Sequence, residues 1–139
     1  MSSENEDVVR RFINDCINER QLELLHELFS PDYINHAATS DISNDLDGYK
    51  TRLGYMIEGF PDLNIEINDS LSIGDMVVVR LTIRGTQLGI YFNKPASGRQ
   101  ATWTAIAIYR ITEGRIVERW ENRDDLGLLQ QLNISPVWT

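Results

Sequence analysis

The spacing of apolar residues changes its period once along the chain, at Pro61. Before that residue, apolar side chains recur at intervals of three and four, as in an amphipathic helix. After it, apolar and polar side chains alternate, as in strands with one face covered by a core. Helices first and an antiparallel sheet afterwards predict an α+β fold in which a strongly curved sheet wraps the helices.

The part before Pro61 predicts three helices. Helical spacing from Asp7 to Phe29 is interrupted by the polar "NER", which indicates either two helices or one bent helix. The next segment, "SPDYINHAATSDISND", is polar and has no clear period, so we expect a loop there. Helical spacing returns in "DLDGYKTRLGYMIEGFP", where Gly59 and Pro61 end the third helix.

Four strands and a short helix are predicted after Pro61. The first two strands flank a turn at "SIGD". The segment "RQATWTAIAIYRIT" has apolar or aromatic residues on both faces and is therefore expected at the centre of the sheet. It forms a hairpin with "EGRIVERWENRD" across Glu113-Gly114. The leucine-rich "LGLLQQL" then predicts a short C-terminal helix.

Length and charge limit the classes of function. A single domain over residues 1–139 is expected, because one core suits a chain of this length. No apolar run approaches the roughly 20 residues of a membrane span, and the acidic N terminus is unlike a signal peptide, so we expect a cytoplasmic protein. A net charge of -8 disfavours nucleic acid and anionic membranes as partners. Cys16, His26 and His36 lack the spacing of a metal site, so none is expected.

The last predicted strand has two faces of different chemistry. Strict alternation gives one face the side chains of Ile116, Glu118, Trp120, Asn122 and Asp124, and the other face those of Val117, Arg119, Glu121 and Arg123. The second set is mostly charged, which favours solvent. We therefore expect the first set to face the helices and to line the interior.

Two aspartates follow one another in "RWENRDDLGLLQQL". If Asp124 faces the interior, its carboxyl group has a raised pKa and is a candidate general acid or base. Asp125 would then cap the C-terminal helix by accepting a hydrogen bond from its free N–H groups. On spacing alone the alternative stays open: Asp124 is itself the cap, or a rim carboxylate paired with Arg123.

Aromatic side chains predict a small-molecule pocket, although such residues form core more often than pocket. His36 becomes a candidate site residue if it meets Asp124, since a lone histidine of this kind is more often structural. Ala105 and Ala107, on one strand face with Trp103, favour an open space beside the sheet. The candidate wall residues are Tyr33, Tyr55, Met56, Phe60, Trp103 and Trp120.

The order of "FSPDYINHA", "GFPDLNIEI", "GDMVVVRLTIRGTQLG", "KPASGR" and "EGRIVERWENRDDLGLLQQL" resembles the SnoaL-like polyketide cyclase family, within the nuclear transport factor 2-like superfamily. The resemblance runs from about Val8 to Leu132. It implies a cone-shaped α+β barrel, with three N-terminal helices packed in a strongly curved antiparallel sheet around a cavity. It also implies a homodimer or homotetramer, built on the outer face of the sheet, and no cofactor.

The resemblance also implies roles for single residues. Asp124, in the segment W-x-x-x-D-x-x-G-L-L, matches the general acid and base of an intramolecular aldol ring closure. His36 matches a histidine that polarises a carbonyl or holds the ligand. Gln87, in "GTQLG", stands where the family commonly has a histidine, and we expect it and Asn122 to bind substrate.

The implied function is cofactor-free acid/base catalysis on a hydrophobic, carbonyl-bearing small molecule. One alternative is a non-catalytic binding module that uses the same cavity, and another is a hydrolase or hydroxylase built on it. A third alternative is an interaction protein that uses the outer face of the sheet.

Overall fold

The computed structural model describes residues 2–135, which form four α-helices and one five-stranded sheet. In chain order the elements are α1 (Ser2–Arg10), α2 (Leu25–Leu28), β1 (Phe29–Asn35), α3 (Leu46–Gly59), β2 (Asn64–Ile73), β3 (Met76–Thr86), β4 (Gln100–Thr112), β5 (Arg115–Arg123) and α4 (Asp125–Gln131). The sheet is curved and unclosed, with the strand order β1-β5-β4-β3-β2. The predicted α+β class and the short C-terminal helix are confirmed.

The N-terminal helical region bends at the predicted place. α1 continues into a π-helical segment, Arg11–Asn18, and the chain then turns through Arg20, which has a φ of 61°. The Arg20 guanidinium donates hydrogen bonds to the carbonyl oxygens of Pro61 and Leu63, at 2.8 and 2.9 Å. These hydrogen bonds therefore hold the turn in "NER" against the start of the sheet region.

Among the described residues, no helix is long and apolar enough to cross a membrane.

Strand β1 (Phe29–Asn35) comprises Phe29, predicted as the last helical residue, and the first six residues of the predicted loop. It pairs in parallel with β5, with Phe29 opposite Ile116 and Asn35 opposite Arg119. β1 is at the edge of the sheet, where a proline such as Pro31 is tolerated because one side of the strand needs no ladder hydrogen bond. The local pattern did not indicate a strand because its partner is the last strand of the chain.

A β-bulge at Val117 reverses the two faces of β5. Ile111 of β4 lies opposite Ile116, whereas the next residue of β4, Arg110, lies opposite Glu118. Val117 is thus an extra residue, and every later side chain changes face relative to strict alternation. The facing predicted for β5 is wrong beyond the bulge.

The core lies between the helices and the concave face of β3, β4 and β5. Ala105 and Ala107 are buried in it, with Trp103 and Tyr109 on the same face of β4. Cys16 is buried in this core as well. A cluster of aromatic rings in edge and tilted contact fills the middle of the fold and consists of Phe12, Phe29, Tyr33, Tyr49 and Tyr109.

Two glycines of α3 provide a matched test of how this helix packs against the segment before it. A Cβ atom on Gly48 would overlap the backbone carbonyl oxygen of Ser43, whereas one on Gly54 would meet no atom within 4 Å. We expect Gly48→Ala to lower the free energy of unfolding by about 1–3 kcal/mol through overpacking. Gly54→Ala should raise it by about 1 kcal/mol, because alanine favours the helix. Urea denaturation measures both, and effects of the same sign would contradict the packing around Ser43.

Candidate functional site

A cleft of about 510 Å³, here called the outer cleft, opens between α3, the segment 36–45 and the loop 87–99. Its lining residues are Thr39, Asp41, Ile42, Arg52, Tyr55, Glu58, Ile90, Tyr91, Phe92 and Asn93. A void of about 20 Å³, here called the inner chamber, lies next to it and shares Thr39, Ile42 and Arg52 with it. The other residues of the inner chamber are Asn35, Ala37, Ala38, Tyr49, Arg119 and Arg123.

A larger groove of about 690 Å³ lies elsewhere, between the π-helical segment and β2. It is more open than the outer cleft, and nearly all of its lining side chains are polar or charged. Binding sites for small organic molecules are mostly apolar with a few convergent polar groups. The outer cleft and inner chamber fit that description, and we therefore take them as the candidate site.

The loop 87–99 forms one wall of the outer cleft through a tight turn. Tyr91 and Lys94 exchange backbone hydrogen bonds of 3.0 and 2.9 Å, and both residues between them, Phe92 and Asn93, have positive φ angles, as in a type I′ turn. Phe92 is unusual in that conformation, which costs a non-glycine residue free energy. The turn places its ring 4.5 Å from that of Tyr91, at the cleft.

Gln87 supports this loop from inside, whereas we predicted that it would bind substrate. Its side chain is buried, and its Nε2 donates to the carbonyl oxygens of Lys94 and Pro95 at 3.3 and 3.2 Å. Its Oε1 accepts a 2.7 Å hydrogen bond from the Ser97 hydroxyl. Since every polar atom of this amide has a partner within the loop, the structure gives Gln87 a structural role.

Arg52 of α3 lies where the outer cleft meets the inner chamber. It is half-buried, and its Nη2 donates a 3.4 Å hydrogen bond to the hydroxyl of Tyr91. Within residues 2–135, no carboxylate lies within 4.0 Å of this guanidinium. A hydrogen bond from the Thr39 hydroxyl and, to a smaller extent, the charge of Arg52 keep the pKa of Asp41 below its ordinary value.

The inner chamber is bordered by a buried ion pair. Arg119 Nη2 lies 2.8 Å from Glu121 Oε1, and these two side chains are only 7% and 6% exposed. Arg119 Nη1 donates a 3.2 Å hydrogen bond to Asn35 Oδ1, and the guanidinium lies 4.9 Å from the centre of the Tyr49 ring. Strict alternation placed both charges in solvent, and the bulge at Val117 is the reason that they face inward.

Electrostatics keep Arg119 charged. Burial alone would lower the pKa of Arg119, but the negative charge of Glu121 and the surrounding tyrosine oxygens hold that pKa above its ordinary value. Burial raises the pKa of the Tyr33 and Tyr49 hydroxyls, so both stay neutral. Arg123 also lies 3.4 Å from Glu121, so one buried carboxylate serves two guanidinium groups.

The predicted inward orientation of Asp124 is wrong. Asp124 is exposed and forms the N-cap of α4, where its Oδ1 accepts a 2.9 Å hydrogen bond from the N–H of Gly127. Asp125, predicted as the cap, is the first residue of the helix, and its carboxylate lies 3.4 Å from Arg123. The alternative that spacing left open, a capping Asp124, is the one found. Its catalytic role stays a prediction.

His36, Trp120 and Asn122 lie on the convex face of the sheet, apart from the outer cleft. The imidazole of His36 stacks on Trp120 at 4.7 Å, and its Nε2 lies 2.8 Å from Glu118 Oε2. Asn122 is exposed on the same face. The condition that made His36 a candidate, a meeting with Asp124 inside the protein, is not met, because the bulge in β5 turns Trp120 and Asn122 outward and His36 stacks on Trp120. The role of His36 stays a prediction.

The remaining predicted wall residues divide between cleft and core. Tyr55 lines the outer cleft and is 53% exposed. Met56 is buried one layer deeper, where its Sδ accepts a 3.2 Å hydrogen bond from the Tyr91 hydroxyl. Phe60 and Trp103 are core residues in contact at 5.3 Å, and Tyr33 is buried in the aromatic cluster.

Sequence reasoning missed Arg52, Arg119, Arg123 and Phe92. Arg119 and Arg123 alternate with Glu121, which is typical of an exposed strand face, so no local signal distinguished them. Arg52 stands in a helix with Tyr55 and Glu58 at the following turns, and charged residues at such spacing usually face solvent. The apolar "GIYFN" inside a loop was the one signal that pointed to this wall.

Comparison with known proteins gives one family. The family model of SnoaL-like polyketide cyclases matches residues 7–132. TsrD from Streptomyces laurentii is 25% identical over 97% of this chain and 98% of its own, with a TM-score of 0.87. IdmH from Streptomyces antibioticus, described as a candidate polyketide cyclase, is 28% identical over 94% and 99%, with a TM-score of 0.82.

A third structure has the same fold but is described as a different kind of enzyme. AclR from Streptomyces galilaeus, a candidate hydroxylase, is 21% identical over 98% of this chain and 100% of its own, with a TM-score of 0.87. No curated protein matches the chain. The family model therefore establishes the family and the neighbours establish the fold, while the descriptions of the neighbours differ in reaction.

The ion pair beside the inner chamber can be tested by a double-mutant cycle. Arg119→Met should lower the free energy of unfolding by about 3–5 kcal/mol, because it leaves the buried Glu121 with only the more distant Arg123 as a partner. Adding Glu121→Leu should restore most of that loss, since the buried carboxylate is then removed as well. Urea denaturation of the two single variants and the double variant gives the coupling. Additive losses would mean that the two side chains do not form a buried pair.

Proposed function

We propose that this chain, which belongs to the SnoaL-like polyketide cyclase family, binds a hydrophobic, carbonyl-bearing small molecule in the outer cleft. The observation that carries this proposal is the half-buried guanidinium of Arg52, which has no ion pair among residues 2–135 and lies among aromatic side chains. A carbonyl oxygen could accept a hydrogen bond from it, and the rings of Tyr55, Tyr91 and Phe92 could cover an apolar body.

The exposed rings support the proposal. Tyr55 and Phe92 are 53% and 50% exposed, and Ile90 beside them is 60% exposed, so the cleft presents a continuous apolar wall to solvent. Patches of this kind on a soluble protein commonly mark binding sites. The tight turn at Phe92 holds the wall in place without help from a ligand, which lowers the entropy cost of binding.

We further propose that the bound molecule reacts by proton transfer without a cofactor. Removal of a proton from carbon beside a carbonyl puts negative charge on the carbonyl oxygen, and a guanidinium at that oxygen stabilises the charge. The proton acceptor implied by the family segment W-x-x-x-D-x-x-G-L-L is Asp124, which directly follows Arg123 of the inner chamber. To act, its carboxylate would leave the N–H of Gly127.

The second candidate is a non-catalytic binding module that uses the same cleft. The observation that favours it is the exposed position of Asp124, since a solvated carboxylate is a weak base for carbon acids. For the enzyme and for the binding module alike, we propose a homodimer or homotetramer. The contact between subunits would use the convex face of the sheet, which carries Trp120 and the half-exposed Ile106.

Arg52→Gln tests the binding proposal. The probe is benzoylacetone, which has an aromatic ring and two neighbouring carbonyl groups. Loss of a charge-assisted hydrogen bond should raise its Kd about 10- to 100-fold, as measured by isothermal titration calorimetry. Arg80→Gln is the control, because Arg80 lies in an exposed ion pair with Asp69 on the sheet. Equal affinity of the Arg52 variant and the unaltered protein would reject Arg52 as the carbonyl-binding group.

Asp124→Asn separates catalysis from binding. The assay follows deuterium exchange at the carbon between the two carbonyl groups of benzoylacetone by NMR, above the rate in buffer. We expect the variant to lose about 100-fold or more of the accelerated exchange, since general base catalysis contributes that much. Folding should be retained, because asparagine caps a helix as well as aspartate does.

Asp69→Asn is the matched control, because it also removes one exposed carboxylate, which pairs with Arg80 on the sheet and lines neither the outer cleft nor the inner chamber. It should exchange the probe at the unaltered rate. If Asp124→Asn also keeps that rate, Asp124 is not the base. If the unaltered protein binds the probe without accelerating exchange at all, the non-catalytic module is the better description.

A further inference from the structure

We propose that the inner chamber is an oxyanion subsite, in which Arg119 binds one negatively charged oxygen atom of the ligand. The inference rests on the proposed function of the adjoining outer cleft and specifies what its ligand must carry. A void of about 20 Å³ has room for one oxygen atom but not for a ring. The ligand class is therefore an apolar molecule that ends in a carboxylate or forms an enolate, with the charged oxygen pointing inward.

The first argument is an unused hydrogen-bond donor. Arg119 is buried, and within the described part of the chain its Nε has no hydrogen-bond partner. Its other two nitrogens are engaged by Asn35 and Glu121, and the Tyr109 hydroxyl lies beside the same guanidinium. A buried donor without a partner costs free energy that an incoming acceptor recovers. A negatively charged oxygen recovers more than a neutral one, because its hydrogen bond is charge-assisted.

The second argument is the balance of charge. Three guanidinium groups line the chamber, those of Arg52, Arg119 and Arg123. Two carboxylates lie within 4.0 Å of them: Glu121, shared by Arg119 and Arg123, and the half-exposed Asp125 beside Arg123.

Two more carboxylates, Asp41 and Glu58, lie in the outer cleft and are exposed to solvent, which screens them. The chamber itself therefore keeps an excess of positive charge, contributed mainly by Arg52. An anionic oxygen at this point would be attracted by all three guanidinium groups.

The third argument is rigidity. The Arg119 guanidinium lies over the Tyr49 ring and is held by Asn35, so it does not have to be ordered when a ligand arrives. Fixed donors in a site with little water stabilise developing negative charge more strongly than mobile ones. In the proton transfer proposed above, the oxygen in the chamber would be the one that becomes negative.

The test uses formate as a small anionic probe of the chamber. We expect formate to shift the NMR signals of the arginine Nε–H groups in the unaltered protein, in a saturable way. Glu121→Gln should tighten formate binding about tenfold, because it removes the carboxylate that competes for Arg119. Arg119→Lys should weaken it about tenfold, because lysine lacks the Nε–H donor.

The control for both variants is Arg84→Gln, which breaks an exposed ion pair with Glu66 on the sheet and should leave formate binding unchanged. Circular dichroism checks that each variant is folded. If Arg119→Lys does not fold, the opposite sign expected for Glu121→Gln still tests the proposal. Formate affinity that is insensitive to Glu121→Gln would overturn it.

Competition between the two probes links the chamber to the ligand. Formate should raise the apparent Kd of benzoylacetone if an oxygen atom of that molecule enters the chamber. Independent binding of both would overturn the proposal, since the chamber would then hold only a free anion, while the outer-cleft function would stand. Formate binding with no benzoylacetone binding would instead reject the proposed function itself.

Discussion

The buried ion pair between Arg119 and Glu121 determines how the inner end of the site is built. The carboxylate of Glu121 compensates the buried charge of Arg119, because an unpaired buried charge is strongly unfavourable. Both face inward because Val117 bulges from the ladder between β4 and β5 and reverses the alternation that follows. One extra residue in the strand thus turns Arg119 and Glu121 inward, where strict alternation would place Glu118 and Trp120.

The site has two regions of different chemistry, and the ion pair lies beside the inner one. The outer cleft has an apolar wall at Tyr55 and Phe92, which suits the body of a small molecule. The inner chamber is small and bordered by guanidinium groups, which suits a single charged atom. Arg52 belongs to both regions, so a ligand that fills the cleft and an oxygen that enters the chamber would meet at the same side chain.

Asp124 shows that a family pattern can have a structural cause as well as a chemical one. In D-x-x-G, the aspartate accepts a hydrogen bond from the N–H three residues later, as an N-cap does. A Cβ atom on Gly127 would overlap the carboxylate of Asp124, so the glycine leaves room for the cap as it stands. The pattern W-x-x-x-D-x-x-G-L-L therefore does not by itself decide whether the aspartate transfers protons.

The sequence by itself determined the fold class, because the change of period at Pro61 and the turn at Glu113-Gly114 are local properties of the chain. The burial of Met56, Phe60 and Trp103 agrees with the same patterns, whereas their predicted place in the wall of a pocket does not, because they lie in the core behind the outer cleft. Tertiary structure decided the rest. The strand Phe29–Asn35 exists through pairing with β5, and the bulge at Val117 decides whether Arg119 or Trp120 is inside. A strand's alternation specifies two faces, but only its register against a distant partner specifies which face is buried.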